Sequence, residues 1–289
     1  MDATRHPQSR GSHTFILGAD YHLGDLLWLT AVLHQYRCMA KPQRLTVVHP
    51  RQALLAILER NPDVDDLLTA APTHSHAVVH DLRPIPIGVS MVRDWRYRLP
   101  WLYYRDLWCQ PRGQWLATYL RLGRLQRCRP VLELGEEDFA IADTLDRPYV
   151  VLAPHIGQYR SRALTRAWSA VKGWPLNHWT ALTAALHRAG YQTVTLGAHG
   201  QAAIPETQPM LGLPIRQVAG IIDRAAGLIS GESGLWFIAA ARARPFVIVP
   251  WWLPRSIDWP APMNVPYRLV HRREATVDSV LAAIRELVP

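Results

Sequence analysis

The chain opens with short apolar runs that alternate with segments in which apolar residues recur at helical spacing. Residues 14–18 (TFILG) form such a run, and after a turn that contains glycine a helical pattern covers residues 25–37. The same reasoning predicts strands at residues 45–49, 66–69 and 77–80 and a helix at residues 51–60. Strands that alternate with helices predict a parallel sheet with helices on both faces.

The alternation starts again near the middle of the chain. A helix is predicted at residues 136–145, and Asp146-Arg147-Pro148 has the composition of a linker. Beyond it the pattern predicts strands at residues 149–153, 192–196, 227–230 and 245–249, and helices at residues 176–189, 215–226, 234–243 and 277–287. We therefore expect two Rossmann-like, doubly wound α/β domains, residues 1–146 and 147–289, that face each other across a cleft. Ligands of such folds bind beyond the carboxyl ends of the strands.

Length and composition agree with two soluble domains. The 289 residues exceed one ordinary core, and 49% hydrophobic with 19% charged residues is typical of globular proteins rather than disordered or fibrous ones. Glu232, Arg242 and Arg244 interrupt the most apolar stretch, so no transmembrane helix is expected. Residues 1–13 are polar and lack the apolar centre of a signal peptide, so the expected location is the cytoplasm.

The cysteines and histidines predict neither a disulfide framework nor a metal site. Cys38, Cys109 and Cys128 form no CxxC pair, and we interpret them as reduced thiols, mostly in the core. The histidines show no HExxH or comparable ligand spacing, so no metal is expected.

The first candidate for chemistry is Asp25, which ends the glycine-containing stretch Gly18-Ala-Asp-Tyr-His-Leu-Gly24-Asp25. Asp25 falls at or near the start of a predicted helix, where an aspartate commonly accepts backbone N–H bonds. A carboxylate at the mouth of the sheet can also act as a general base and take a proton from an attacking hydroxyl. Both interpretations remain open from the residues alone. The stretch has no GxGxxG, so it gives only weak support for dinucleotide binding.

The second candidate is Lys172, in the segment Lys172-Gly-Trp-Pro-Leu-Asn-His-Trp179. It follows a loop that contains His155, Arg160, Arg162 and Arg166, and Pro175 suits the first turn of a helix. Cations just before a helix start form a plausible diphosphate site, although a solvated basic loop is the alternative. Only two of the 32 basic residues are lysines, which makes a lysine at this position noteworthy.

The third candidate is Ser230-Gly-Glu-Ser-Gly-Leu235, which follows an apolar strand and opens a helix. Small residues let backbone N–H groups approach a phosphate at the positive end of that helix, and Glu232 can hold ribose hydroxyls. A glutamate at this position can instead simply complement the helix dipole.

A basic and aromatic segment occupies residues 91–129. It contains nine arginines against two aspartates, a net charge of +7, with tyrosines and tryptophans interleaved. Arginine binds phosphate in a bidentate manner, and aromatic rings stack on sugars or lie at the lipid headgroups. The segment therefore predicts contact with an anionic or lipid-linked glycan, with peripheral contact at the inner membrane surface, or alternatively with nucleic acid. Two Rossmann-like halves with a diphosphate site need no nucleic acid, so nucleic acid is not the expected partner.

Taken in order, three stretches resemble the bacterial ADP-heptose:lipopolysaccharide heptosyltransferases, which form glycosyltransferase family 9 and have the GT-B fold. Residues 24–37 (GDLLWLTAVLHQYR) resemble the family's opening GD, then T, then a helix. Residues 172–179 (KGWPLNHW) resemble its K-x-W-P-x-x-x-W element, and residues 231–241 (GESGLWFIAAA) its D-[ST]-G-x-x-H-L-A-A-A motif.

The resemblance implies an inverting, metal-independent sugar transfer from a nucleotide diphosphate sugar, with no cofactor, in lipopolysaccharide, capsule or related glycoconjugate synthesis. It implies that Asp25, in an acceptor-side N-terminal domain, deprotonates the acceptor and that Lys172 neutralises the donor diphosphate. It places the nucleotide in the C-terminal domain at Glu232, Ser233, Gly234, Leu235 and Gly197.

Two departures from the family pattern bear on the donor and on activity. Glu232 replaces the family's aspartate, and Phe237 occupies the position of its histidine. A catalytically silent GT-B module that binds a nucleotide or glycan is therefore the alternative to the enzyme.

Overall fold

The structure is a computed structural model that describes residues 11–19, 21–72, 77–83, 120, 122, 125–126, 129–155, 173–249, 260, 263–271 and 273–288. The chain forms two compact units, Met1–Glu133 and Leu134–Pro289. Within the described ranges no helix is both long and apolar enough to cross a membrane.

The first unit contains a parallel sheet of four strands in the order β3-β2-β1-β4. Its elements are β1 (Ser12–Ile16), α1 (Leu23–Ala40), β2 (Arg44–Val48), α2 (Gln52–Leu55), a 3-10 turn (Ala56–Leu58), β3 (Asp66–Leu68) and β4 (Val78–Asp81). β1 is central because it pairs with β2 on one side and with β4 on the other. Lys41 ends α1 in the left-handed conformation, at φ 46°.

Polar side chains of α1 form hydrogen bonds with the backbone of the last residues of the first unit. Gln35 donates through Nε2 to the Leu122 carbonyl over 2.8 Å and accepts from the Gln126 N–H at the same distance. The Thr30 hydroxyl accepts from the Val131 N–H at 2.7 Å. Gln35 and Thr30 are both buried, so these bonds satisfy groups that water cannot reach.

The second unit contains a parallel sheet of six strands in the order β10-β9-β8-β5-β6-β7. Its elements are β5 (Tyr149–Ala153), α3 (Leu176–Arg188), β6 (Gln192–Gly197), β7 (Gln208–Leu211), α4 (Ile215–Arg224), β8 (Gly227–Ser230), α5 (Leu235–Ala241), β9 (Phe246–Ile248), β10 (Tyr267–Leu269) and α6 (Val277–Leu287). Read from β7 to β10, the spatial order is that of a dinucleotide-binding Rossmann sheet.

The predicted helix at residues 136–145 is wrong. The segment instead forms two 3-10 turns, Glu136–Phe139 and Ala142–Thr144. Its backbone packs directly on α4, where a Cβ on Gly220 would lie only 2.0 Å from the Asp138 carbonyl oxygen. The buried Asp138 carboxylate also binds the Arg216 guanidinium of α4 at 2.6 Å. These contacts tie residues ahead of the expected boundary at 146/147 to the second unit.

Three other expectations also differ from the structure. The predicted helix at residues 51–60 is only α2 followed by a 3-10 turn. The edge strands β7 and β10 were not predicted. Cys38 is exposed near the end of α1 rather than in the core, because the buried part of that helix ends at Tyr36. Cys109 and Cys128 lie outside the described residues.

Candidate active site

The central feature of the second unit is the switch point between β5 and β8. The chain runs from β5 to β6 and β7 on one side, then returns to place β8 on the other side of β5. At the carboxyl ends of these two strands the Gly231 N–H donates to the Ala153 carbonyl at 3.2 Å. A doubly wound sheet opens its ligand crevice at such a point.

The turn after β8 carries the predicted residues Glu232, Ser233, Gly234 and Leu235. All four are partly exposed, while the strand before them and most of the helix after them are buried. The Ser233 hydroxyl lies 2.8 Å from the Ser230 hydroxyl and accepts from the Leu235 N–H at 3.3 Å. The Ser233 N–H donates to the Gly231 carbonyl at 2.8 Å. Ser233 therefore fixes the shape of the turn with both its side chain and its backbone.

Gly197 is the last residue of β6, the parallel neighbour of β5, so it lies at the same carboxyl end of the sheet as the turn after β8. A Cβ at this position would lie 2.9 Å from the Gln201 Oε1 atom and 3.2 Å from the His155 Cδ2 atom. A Cβ here would therefore have to push the end of the Gln201 side chain away and shift the His155 ring by a few tenths of an ångström. The structure thus brings Gly197 to the predicted edge and gives it a steric reason to be glycine.

His155 lies two residues beyond β5 and is partly exposed. Its Nε2 atom lies 2.7 Å from the Ala202 carbonyl oxygen, which fixes the plane of the ring. The sequence indicated His155 only as one member of a basic loop. The pairing of β5 with β6, which brings the ring beside Gly197, is a long-range contact that no local pattern reveals.

The segment that contains Lys172 is described only from Gly173 onward, and Lys172, Arg160, Arg162 and Arg166 lie outside the described residues. The two tryptophans of this element are structural. Trp174 is buried and donates to the Ala275 carbonyl at 3.3 Å, and Trp179 donates to the Trp174 carbonyl at 3.2 Å. Of residues 91–129, only 120, 122, 125, 126 and 129 are described.

Phe237, at the position of the family's histidine, is buried in α5. Its ring stacks on Trp236 with 3.6 Å between the ring centroids, and the side chain is 5% exposed. An apolar ring in this packing supplies neither a hydrogen bond nor a charge.

In the first unit, Asp25 lies in the first turn of α1 and is 6% exposed. Its Oδ2 atom accepts the His22 N–H at 3.0 Å, so the predicted capping interaction is present. The capping contact engages one carboxylate oxygen with a backbone donor.

His49 supports the loop ahead of Asp25, and sequence reasoning missed it. The His49 Nδ1 atom accepts the Arg51 N–H at 3.0 Å, and the Nε2 atom lies 3.2 Å from the Tyr21 carbonyl oxygen. Burial lowers the pKa of the His49 imidazole and so favours its neutral form. A histidine that directly follows a buried strand was the available signal.

Comparison with known proteins agrees with this geometry. Residues 129–249 match the model of glycosyltransferase family 9 (heptosyltransferase). The resemblance inferred from the sequence is thereby confirmed. The family 9 match includes Gly197, the Glu232 to Leu235 turn and the position of Lys172, whereas Asp25 lies outside it.

Solved structures show the same fold over nearly the whole chain. A glycosyl transferase family 9 protein from Veillonella parvula DSM 2008 has a TM-score of 0.70 at 16% identity, covering 99% of both chains. ADP-heptose lps heptosyltransferase II of E. coli has a TM-score of 0.61 at 14% identity, covering 95% of this chain and 98% of the other. The E. coli heptosyltransferase WaaC with ADP has a TM-score of 0.51 at 14% identity, covering 95% and 100%. The predicted GT-B fold class is thus confirmed. No curated protein sequence matches the chain.

Proposed function

We propose that this protein is a glycosyltransferase that moves a sugar from a nucleoside diphosphate sugar to a glycan acceptor. The observation that carries the proposal is the partly exposed turn from Glu232 to Gly234 at the switch point of a Rossmann-ordered sheet, inside the segment that matches family 9. Nucleotides bind at this place in doubly wound sheets.

The donor binds in the second unit in this proposal. Glu232 lies two residues beyond the end of β8 and is partly exposed, and its carboxylate accepts the ribose hydroxyls. Ser233 acts through the shape of the turn, because its hydroxyl and N–H already bond to Ser230, Leu235 and Gly231. Gly234 and Leu235 allow the backbone to approach the phosphates. Lys172 neutralises charge on the leaving diphosphate.

The transfer is inverting and independent of metal in this proposal. The acceptor oxygen forms a bond with the anomeric carbon while the bond from that carbon to the diphosphate oxygen breaks. The acceptor proton passes to the carboxylate of Asp25. The leaving diphosphate keeps the electron pair of the broken bond, so a cation such as Lys172 favours its departure. Positioning both substrates supplies much of the remaining rate.

The acceptor in this proposal is an anionic glycan, free or lipid-linked, which the arginines of residues 91–129 bind from the cytoplasmic face of the membrane. The net charge of +7 and the interleaved aromatic residues of that segment support this assignment.

A thermal-shift screen of nucleoside diphosphates and their sugars tests the donor, because a ligand of the native state raises the melting temperature by mass action. ADP belongs in the screen because the E. coli WaaC structure contains it. A hit sugar nucleotide is then incubated with candidate acceptors, and NMR of the product gives its anomeric configuration. Retention of configuration would contradict direct displacement, and turnover that requires a divalent cation would contradict metal independence.

The buried Phe237 ring favours one second candidate, a silent module that binds nucleotide without transferring sugar. The two candidates differ in a single measurement, which is release of nucleoside diphosphate from the donor with acceptor present. Tight binding without release, across donors and acceptors that saturate the protein, would favour the silent module.

A further inference from the structure

We propose that the rings of His13, Tyr36 and His80 (the ring cluster) form an acid-sensitive contact that holds β4 and the last turns of α1 on the central strand β1. The contact stays closed while at most one of the two imidazoles is protonated, and it opens when both are. The ring cluster lies in the first unit, so this inference is independent of the proposed donor site.

The first sheet and α1 bring the three rings together. His13 lies on β1 and His80 on the neighbouring strand β4, where His80 pairs with Phe15. Phe15 is two residues beyond His13 and points to the same face of the sheet. Tyr36 of α1 is 1% exposed and His13 is fully buried, whereas His80 is partly exposed. The contacts between the rings therefore lie between the sheet and α1.

Three polar atoms of the ring cluster are in mutual contact. The Tyr36 Oη atom lies 2.7 Å from His13 Nδ1 and 2.8 Å from His80 Nε2, and the two nitrogens are 3.1 Å apart. The planes of the two imidazoles differ by 14°, and their centroids are 5.4 Å apart. At these distances the imidazoles meet edge to edge, so that one nitrogen faces the other. The Phe15 ring stacks on His80 with 4.5 Å between the centroids, which holds the imidazole in this plane.

Two hydrogen atoms satisfy all three contacts. One imidazole donates its inward N–H to the Tyr36 oxygen, and the Tyr36 O–H donates to the inward nitrogen of the other imidazole. One added proton leaves this arrangement intact, because it binds the outward nitrogen of the first ring. A second added proton does not, because both inward nitrogens then carry hydrogen. Two like-charged N–H groups would point at each other across 3.1 Å in a largely buried site, so the rings must separate.

The described carboxylates around the ring cluster already have other partners. β1 carries no charged residue besides its histidine, and Asp25 lies at the opposite end of α1. The end of α1 adds the exposed Cys38 and Lys41. On α1, β2, β3 and β4 and beside them, the ion pairs are His34 with Asp63, Arg37 with Asp65, Arg44 with Asp66, and Arg83 with Asp81. These carboxylates are therefore engaged elsewhere when a second positive charge forms in the cluster.

The pKa values of the cluster agree with this geometry. Burial, together with the charge on His13, lowers the pKa of His80 to about 4. Burial also raises the pKa of Tyr36 to about 12, so the hydroxyl keeps its proton throughout the acid range. Since the folded-state pKa of His80 is lowered, the closed contact is favoured above pH 6.5 and is lost as the pH falls toward 4.

Hydrogen exchange of the intact protein, followed by mass spectrometry of its peptides, tests the inference between pH 6.5 and 4. Each rate is divided by the intrinsic exchange rate at the same pH. Peptides of β4 and of the last turns of α1 should lose protection by on the order of 100-fold at pH 4, because a His80 pKa of about 4 rather than 6.5 weakens the closed contact that much. Peptides of β5 and β8 should keep their protection, since they belong to the second unit.

Two variants and a matched control identify the groups responsible. His80→Phe removes the second charge and keeps a ring that stacks on Phe15, so the protection of β4 should become nearly independent of pH. Tyr36→Phe removes the two shortest hydrogen bonds of the cluster, so β4 should lose protection at a higher pH than in the wild type. The control is His34→Gln. His34 lies on α1 outside the cluster, 3.0 Å from Asp63 Oδ2, and glutamine keeps a donor for that bond, so its profile should match the wild type.

Every outcome supports or overturns the inference. Equal pH dependence of β4 protection in the wild type and in His80→Phe would overturn it. Loss of protection in β4 and β5 at the same pH would also overturn it, because that is acid unfolding of the whole chain. If His80→Phe is unfolded at pH 6.5, Tyr36→Phe decides instead, and loss of protection at the wild-type pH would then overturn the inference.

Discussion

Replacing Asp25 by asparagine separates its two possible roles. Asparagine has the same shape and still offers an oxygen to the His22 N–H, so the capping bond of 3.0 Å is retained. It removes only the negative charge near the start of α1, which stabilises a helix by roughly 0.3 to 1 kcal/mol. The melting temperature of the variant should therefore fall by only a few degrees, at roughly 4 °C per kcal/mol for a unit of this size.

The same change removes the proposed general base. General-base catalysis contributes on the order of 100-fold or more, so turnover should fall by at least that factor, equivalent to about 2.7 kcal/mol of transition-state stabilisation. Donor affinity should stay nearly constant, because Asp25 lies in the first unit and the proposed donor site in the second. The assays are sugar transfer by the purified variant, calorimetry with the donor, and thermal unfolding.

Asp65→Asn is a matched control in the same unit. Asp65 also accepts a backbone N–H, that of Leu45 at 2.7 Å, and it binds Arg37. Its replacement should reduce stability and leave turnover unchanged. Wild-type turnover by Asp25→Asn would refute the catalytic assignment and leave Asp25 as a helix cap.

Three further predictions concern stability and the diphosphate. Gly220→Ala places a Cβ about 2.0 Å from the Asp138 carbonyl oxygen and should lower the free energy of unfolding by about 2 kcal/mol or more in denaturant titrations. The control is Gly11→Ala, whose added Cβ would have no atom within 4 Å and should leave the free energy of unfolding unchanged. Equal effects of the two changes would contradict the contact. Burial lowers the pKa of His80 to about 4. The free energy of unfolding should therefore be highest above pH 6.5 and decrease as the pH falls from 6.5 toward 4. Unfolding curves of His80→Phe, measured over the same pH range, should show a smaller decrease. Lys172→Ala should weaken diphosphate binding and slow transfer, and unchanged kinetics with unchanged affinity would remove Lys172 from the site.

The sequence predicted the buried parts of the second unit most accurately. The bounds of β5, β8 and α6 agree with the prediction, because each is an apolar run or amphipathic helix with clear ends. β7 was missed because it is an edge strand of four residues that includes Pro209, and proline is otherwise evidence against a strand. The helix predicted at residues 136–145 is wrong for another reason. Their conformation is set by packing on Gly220 and by the ion pair with Arg216, which no local propensity encodes.

In the candidate site, too, features set by local sequence were predicted and features set by long-range contacts were not. The turn at Glu232 could be placed at the end of a strand because glycine and serine follow an apolar run there. The roles of His155 and His49 depend on which strands are neighbours and which carbonyls their rings reach. Such pairings are decided by the sheet order, and sheet order is a property of the whole unit.

The hydrogen bonds of Gln35 and Thr30 have a consequence for synthesis on the ribosome. Their partners, Leu122, Gln126 and Val131, are translated long after α1 has left the exit tunnel. Until then the Gln35 amide and the Thr30 hydroxyl lack these particular bonds, and burying α1 without them would cost about 1 to 3 kcal/mol for each group. We therefore expect the nascent first unit to complete its core only when the second unit is already being made, with apolar residues of α1 exposed for that interval.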